Sequence, residues 1–152
     1  MNTDVMFSSK TPEWATPQDL FDRLNEKYHF NLDPASTDEN AKCQNHYTVS
    51  DDGLAKSWGG YTVFCNPPYG REIGKWVEKA YNESLKPNTL IVMLLPARTD
   101  TKWFHNYCVK GKIEFIKGRL KFGGCKNSAP FPSMIVVFKN KSNKSFMRYI
   151  YV

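Results

Sequence analysis

Apolar and polar positions along this chain switch repeatedly between helical and strand spacing, and several strand-like runs stop on proline. Leu20, Phe21, Leu24 and Tyr28 recur at helical spacing behind Thr16-Pro17-Gln18-Asp19. That opening combines a capping threonine, a proline suited to the first helical position and an acid in the first turn, which predicts a helix over residues 17–28. His29-Phe30-Asn31-Leu32-Asp33-Pro34 alternates polar and apolar and predicts a strand ending at Asp33. Residues 35–60 are polar and weakly patterned, with a short strand expected near 47–49 and a turn at Asp51-Asp52-Gly53. Tyr61-Thr62-Val63-Phe64-Cys65 predicts the next strand, which must end at Asn66 because Pro67 and Pro68 bring no backbone donor to a ladder.

Further on, Ile73, Trp76, Val77, Ala80 and Tyr81 form the inner face of a helix predicted over 71–85. The unbroken apolar run from Thr89 to Leu95, closed by Pro96, has the composition of a central strand buried on both faces. A helix around 101–109 carries Trp103, Phe104 and Tyr107, and strands are expected over 112–116, 132–138 and 146–151. Residues 1–13 show no period and read as a flexible arm, while for Trp14 burial beneath the first helix and a ligand role both stay open. Strand and helix alternate to about residue 117 and strands follow one another afterwards. The predicted class is therefore α/β: an abbreviated Rossmann-like sheet, mostly parallel, with antiparallel strands at its C-terminal end and helices on both faces.

Length and composition narrow this picture. The 152 residues suit a single domain spanning 1–152. No apolar run reaches the roughly 18 residues of a membrane span and no charged-then-apolar leader opens the chain, so a soluble, cytoplasmic protein is expected. Cys43, Cys65, Cys108 and Cys125 form no CxxC pair, which suggests reduced thiols. Cys43-Gln44-Asn45-His46 lacks a second ligand pair at zinc spacing, so no metal is expected. The net charge of +6 is unevenly spread: residues 1–60 hold 5 basic and 10 acidic side chains, residues 110–152 hold 10 basic and one acidic. Such a basic C-terminal part suggests a nucleic-acid partner, with Lys117, Arg119, Lys121 and Lys126 in a glycine-rich loop as phosphate contacts. Arg98, just after the central strand, is a further candidate, although a helix cap with a local ion pair also accounts for Arg98-Thr99-Asp100.

Asn66-Pro67-Pro68-Tyr69 at a strand's carboxyl end suits one chemical task, gripping an exocyclic amine. A base amino group is a poor nucleophile because its lone pair is delocalised into the ring. If the Asn66 side-chain oxygen and the Pro67 carbonyl each accept one N–H, the nitrogen is drawn toward tetrahedral geometry and its lone pair can aim at an electrophile. Tyr69 then stacks on the ring, as aromatic residues do on flipped bases. Catalysis in this arrangement rests on positioning and needs no base of unusual pKa.

The motif resembles that of S-adenosylmethionine-dependent amino-group methyltransferases, and the chain is similar over nearly its whole length to the small phage-type DNA adenine-N6 methyltransferases. The likeness is carried by Trp14-Ala15-Thr16-Pro17, Leu32-Asp33-Pro34-Ala35, Asp52-Gly53-Leu54 with Trp58, Phe64-Cys65-Asn66-Pro67-Pro68-Tyr69-Gly70, Leu94-Leu95-Pro96-Ala97-Arg98-Thr99-Asp100, Gly118-Arg119-Leu120-Lys121-Phe122 and Ala129-Pro130-Phe131-Pro132-Ser133. The resemblance implies S-adenosylmethionine as cofactor, DNA as partner and Asn66, Pro67, Pro68 and Tyr69 as the adenine-binding catalytic set. It also implies that Asp33, Pro34 and Ala35 hold the methionine end of the cofactor while Thr16 and Pro17 pack over it. Asp52 is placed with the cofactor site, a contact to the target being the alternative. One departure is plain: the turn after Asp33 contains no glycine, where methyltransferases generally have a glycine-rich one. The same motif serves RNA bases and protein amides, and a silent nucleic-acid-binding module of the same shape is a further alternative. Target sequence, duplex or single-strand preference and oligomeric state have no signal in the sequence.

Overall fold

A computed structural model of the protein describes residues 14–140; the expected arm at 1–13 and the expected strand at 146–151 lie outside them. Four strands, β1 (Thr62–Cys65), β2 (Leu90–Pro96), β3 (Lys112–Phe115) and β4 (Ser133–Lys139), form one sheet in the order β1-β2-β4-β3. β1 and β2 are parallel, whereas β4 is antiparallel to β2 and to β3. β2 lies between two neighbours and is buried from Ile91 to Pro96, as its unbroken apolar run predicts.

The sheet is less parallel than expected, because the stretch 29–33 does not form a full strand. His29 is consumed as the left-handed C-cap of the first helix, with φ 58° and its N–H on the Asn25 carbonyl. Only Leu32 and Asp33 make parallel bridges, to Val63 and His46 respectively. Backbone bonds from Asn31 to the Thr62 carbonyl at 2.8 Å and from Phe64 to the Leu32 carbonyl at 3.0 Å still hold this stretch against β1. The strand expected near 47–49 is instead a turn: Thr48 N–H donates to the Asp51 carboxylate, and Asp52 N–H donates to the Thr48 carbonyl.

Three α-helices accompany the sheet among the described residues: α1 (Gln18–Tyr28), α2 (Ile73–Ser84) and α3 (Lys102–Asn106). α1 turns Leu20 and Phe21 inward, and the Phe21 ring meets Phe64 at 5.2 Å. α2 buries Ile73, Trp76, Val77 and Ala80, and its Tyr81 meets Phe138 at 5.8 Å. Phe64, Val92 and Val137 are cross-strand partners and share one face of the sheet; Phe138, the next residue along β4, points to the other. α1 and α2 therefore cover opposite faces. α3 is shorter than the helix expected over 101–109, which ends in a 3-10 turn at Cys108–Lys110. No helix among the described residues is long and apolar enough to cross a membrane.

The topology gathers the chemistry-bearing segments at one edge. β1, β2 and β3 all point the same way, since β1 is parallel to β2 and both β2 and β3 oppose β4. Their carboxyl ends deliver Asn66, Arg98 and the loop 116–132 to the same side, and β4 starts there too. That edge is where open α/β sheets bind ligands.

Candidate active site

Asn66 follows the last residue of β1, and two prolines then prevent the chain from extending the ladder. Its side-chain nitrogen donates to the Trp14 carbonyl at 2.5 Å and to the Thr16 hydroxyl at 3.0 Å. A carbonyl can only accept, so the nitrogen must face Trp14 and the orientation of the amide is set by chemistry. The other end of the amide, Oδ1, is buried and has no hydrogen-bond partner. An orphaned buried acceptor costs about 1–3 kcal/mol, which a ligand N–H would recover.

Thr16 thus has a different role from the one its position before the helix suggests. α1 is preceded by Pro17 without any side-chain cap bond, and the buried Thr16 hydroxyl is spent on Asn66. Trp14 is half-buried and packs against the core. Its ring meets Phe122 at 5.5 Å and Phe131 at 5.3 Å, on the long loop before β4. The loop is stitched to this segment by an antiparallel bridge between Ala15 and Gly123, with Gly123 N–H donating to the Ala15 carbonyl at 2.8 Å.

A cavity of about 230 Å³ opens in front of Asn66. Thr16, Asp33, Pro34, Ala35, Asp52, Asn66 and Pro68 all line it, so one space collects seven of the residues singled out from the sequence. Pro17, Pro67 and Tyr69 are not among its lining residues. Asp33 is 4% exposed; its carboxylate accepts from the Lys42 amide at 3.0 Å and the Ala35 amide at 3.3 Å. Burial raises its pKa above the usual carboxylate range, opposed by those two amides and by the charges of His46 and Lys42. Asp52 stands at the mouth in a left-handed conformation, φ 59°, at the entry of a 3-10 turn (Gly53–Ala55).

A glycine from another part of the chain packs against the turn after Asp33. A Cβ on Gly53 would lie 2.2 Å from the Pro34 carbonyl oxygen, so only glycine lets that turn pack on the Asp33-Pro34 backbone. The packing is locked by Trp58, fully buried, whose indole N–H donates to the Gly53 carbonyl at 2.9 Å and whose ring stacks on Trp76 at 6.2 Å. Trp76 also lines the cavity.

Tyr69 is only 8% exposed. Its hydroxyl donates to the Leu94 carbonyl at 3.1 Å, and its ring is packed edge-wise by Phe131 at 5.7 Å and Phe122 at 6.3 Å. Burial pushes the phenol well above its ordinary pKa, which keeps it a neutral donor. Arg98, exposed, places its guanidinium 5.9 Å from the Phe131 ring centroid. The exposed Arg119 donates to the Ala129 carbonyl at 3.4 Å, and Lys117, Lys121 and Lys126 are exposed on the same loop. The five cationic candidates therefore lie on, or against, the loop that contributes Phe122 and Phe131 to the aromatic cluster around Trp14 and Tyr69.

Several lining residues have no sequence signal of their own. Ser36, Thr37, Asn40, Lys42, Tyr47 and Thr48 come from the polar stretch without periodicity, and the Ser36 hydroxyl is buried without a partner. Phe122 and Phe131 stand in motif-like segments but have no role that spacing alone could assign. His46 is engaged by the Asp38 carboxylate and the Gln44 carbonyl, and no group of three or more potential metal ligands occurs among the described residues.

Comparison with known proteins adds to this geometry. A family model described as DNA N-6-adenine-methyltransferase (Dam) matches residues 5–151. The chain is 30% identical over 149 residues to a DNA N-6-adenine-methyltransferase of Haemophilus phage HP1 (strain HP1c1), covering 91% of this chain and 85% of that protein. It is 38% identical over 93 residues to a DNA N-6-adenine-methyltransferase of Escherichia phage T1, covering 60% of this chain and 38% of that protein.

Proposed function

The chain belongs to the DNA N-6-adenine-methyltransferase (Dam) family, an enzyme family acting on adenine N6 in DNA, and from that premise we propose how its residues divide the work. The observation that carries the reading is Asn66: it lines the cavity, its nitrogen is tied to Trp14 and Thr16, and its oxygen is a buried acceptor without a partner.

In this reading the adenine amino group donates one N–H to Asn66 Oδ1 and the other to the Pro67 carbonyl. Both acceptors draw the nitrogen toward tetrahedral geometry, free its lone pair from the ring and stabilise positive charge as it develops there. Because Trp14 and Thr16 hold the amide still, no reorganisation is needed at the moment of transfer. Tyr69 supplies the stacking surface. At 8% exposure its ring becomes available to a base only when Phe122 or Phe131 shifts.

The lining of the cavity suits the methyl donor of this class, S-adenosylmethionine, in its charge and its apolar walls. Asp33 and Asp52 suit a ligand with a sulfonium, an ammonium and a ribose diol, and Trp14 and Trp76 offer apolar walls. The cofactor supplies an electrophilic methyl group. Asp33, Pro34 and Ala35 hold its amino-acid end, Thr16 and Pro17, just before α1, close over it, and Asp52 binds it at the mouth. Arg98, Lys117, Arg119, Lys121 and Lys126 contact DNA phosphates and position the strand without reading its sequence.

Methyl-labelled S-adenosylmethionine incubated separately with DNA, RNA and protein, followed by digestion of the product, tests the assignment. Label is expected on adenine N6 of DNA. Label on RNA or on a protein amide would redirect the reading, and calorimetry without cofactor binding, with or without DNA, would refute it.

A further inference from the structure

We propose that Lys42 is the anchor for the carboxylate of the methyl donor, and so sets which way round the cofactor lies in the cavity. The inference rests on the cavity being the cofactor site. Among the described residues that line it, Lys42 alone is basic, facing the carboxylates Asp33 and Asp52. Its ammonium lies 2.6 Å from Gln18 Oε1 at the start of α1. The Gln18 amide is itself oriented by its nitrogen donating to Asp22 Oδ1 at 2.8 Å, which leaves its oxygen for the lysine. An ammonium has three donors, and no carboxylate pairs with this one among the described residues.

Lys42 is also held in place. Its backbone N–H donates to Asp33 Oδ2 at 3.0 Å and its ammonium lies 6.0 Å from the Phe21 ring centroid. A half-buried cation satisfied by a neutral amide, in a cavity whose other charged lining residues are acids, is a site for an anion. The cofactor class has one anionic group, the carboxylate of its amino-acid end. Placing that carboxylate on Lys42 leaves the neighbouring ammonium to Asp33, whose backbone is hydrogen-bonded into the same turn. The nucleoside end then extends toward Asp52, Val49 and Trp76.

The test compares binding of S-adenosylhomocysteine and its decarboxylated analogue by calorimetry, in the wild type and in Lys42→Met. The wild type is expected to prefer the carboxylate-bearing ligand by on the order of 10- to 100-fold. Lys42→Met should bind both alike, at the level the wild type shows for the decarboxylated analogue, which also shows that the cavity is intact. The same comparison in Lys42→Gln, which keeps a polar head, guards against loss of the fold. A variant that keeps the wild-type preference would overturn the role of Lys42 while leaving the cofactor site standing. A wild type that binds neither ligand would overturn the cavity assignment and this inference with it.

Discussion

Asn66 and Thr16 stand 50 positions apart in the chain and are joined by a 3.0 Å hydrogen bond in which the asparagine nitrogen donates to the threonine hydroxyl. With the Trp14 carbonyl as second acceptor, the bond decides which way round the Asn66 amide lies. Thr16→Val keeps the shape and removes the acceptor. It is expected to cost about 1 kcal/mol of stability and to lower methyl transfer by roughly tenfold, with Thr16→Ser restoring most of it, as read by single-turnover kinetics and thermal melts.

Asn66→Ala removes the oxygen on which the reading depends. Methyl transfer is expected to fall by about 10²–10³-fold or more, the scale of losing one preorganised hydrogen-bonding group, while DNA affinity stays within a few-fold. Turnover equal to the wild type would remove Asn66 from the mechanism.

Gly53 is required by close approach, since its added Cβ would meet the Pro34 carbonyl oxygen at 2.2 Å and Trp76 Cη2 at 3.1 Å. Gly53→Ala is expected to destabilise the protein by about 1–3 kcal/mol and to weaken cofactor binding, because relief of the clash moves the Asp33-Pro34 wall of the cavity. Denaturant titration and calorimetry on the same variant check both effects.

Burial holds the Asp33 pKa above its ordinary value, against the Lys42 and Ala35 amides. The folded state then takes up the proton first as pH falls, so the stabilising contribution is present below the unfolded pKa and disappears as pH rises through the folded one. Across that mildly acidic window the wild type is expected to lose more stability with rising pH than Asp33→Asn. Parallel stability curves for the two proteins would assign the pH dependence to other groups.

Lys117, Arg119 and Lys121 are exposed on the loop that carries Phe122 and Phe131. Changing all three to alanine is expected to weaken DNA binding and to reduce the slope of log K against log salt by about 0.9 for each phosphate that is no longer neutralised. An unchanged slope would place the DNA elsewhere.

The elements that depend only on local chemistry are legible in the sequence. Two prolines after Asn66 and one at Pro96 stop their ladders, so the carboxyl ends of β1 at Cys65 and β2 at Pro96 follow from composition, and an unbroken apolar run marks β2 as an internal strand. The apolar face of α2 follows from spacing for the same reason. Alternation over 29–33 is a weaker guide, since it records which residues face inward and not whether a neighbouring strand exists; His29 is taken by the helix cap instead.

The site divides in the same way. The residues that the proposed chemistry uses, Asn66 with its prolines, two acids and a basic loop, can be picked out from the chain before it folds. It takes the folded chain to show that Thr16 bonds Asn66 and does not cap α1, that Gly53 packs on the Pro34 backbone, and that Phe122 and Phe131 pack against Tyr69. Each of these depends on a backbone carbonyl, a hydroxyl or a ring brought in from a distant part of the chain. Hydrogen bonding and close packing act through distance in space, and residue spacing carries no record of it once the chain has turned.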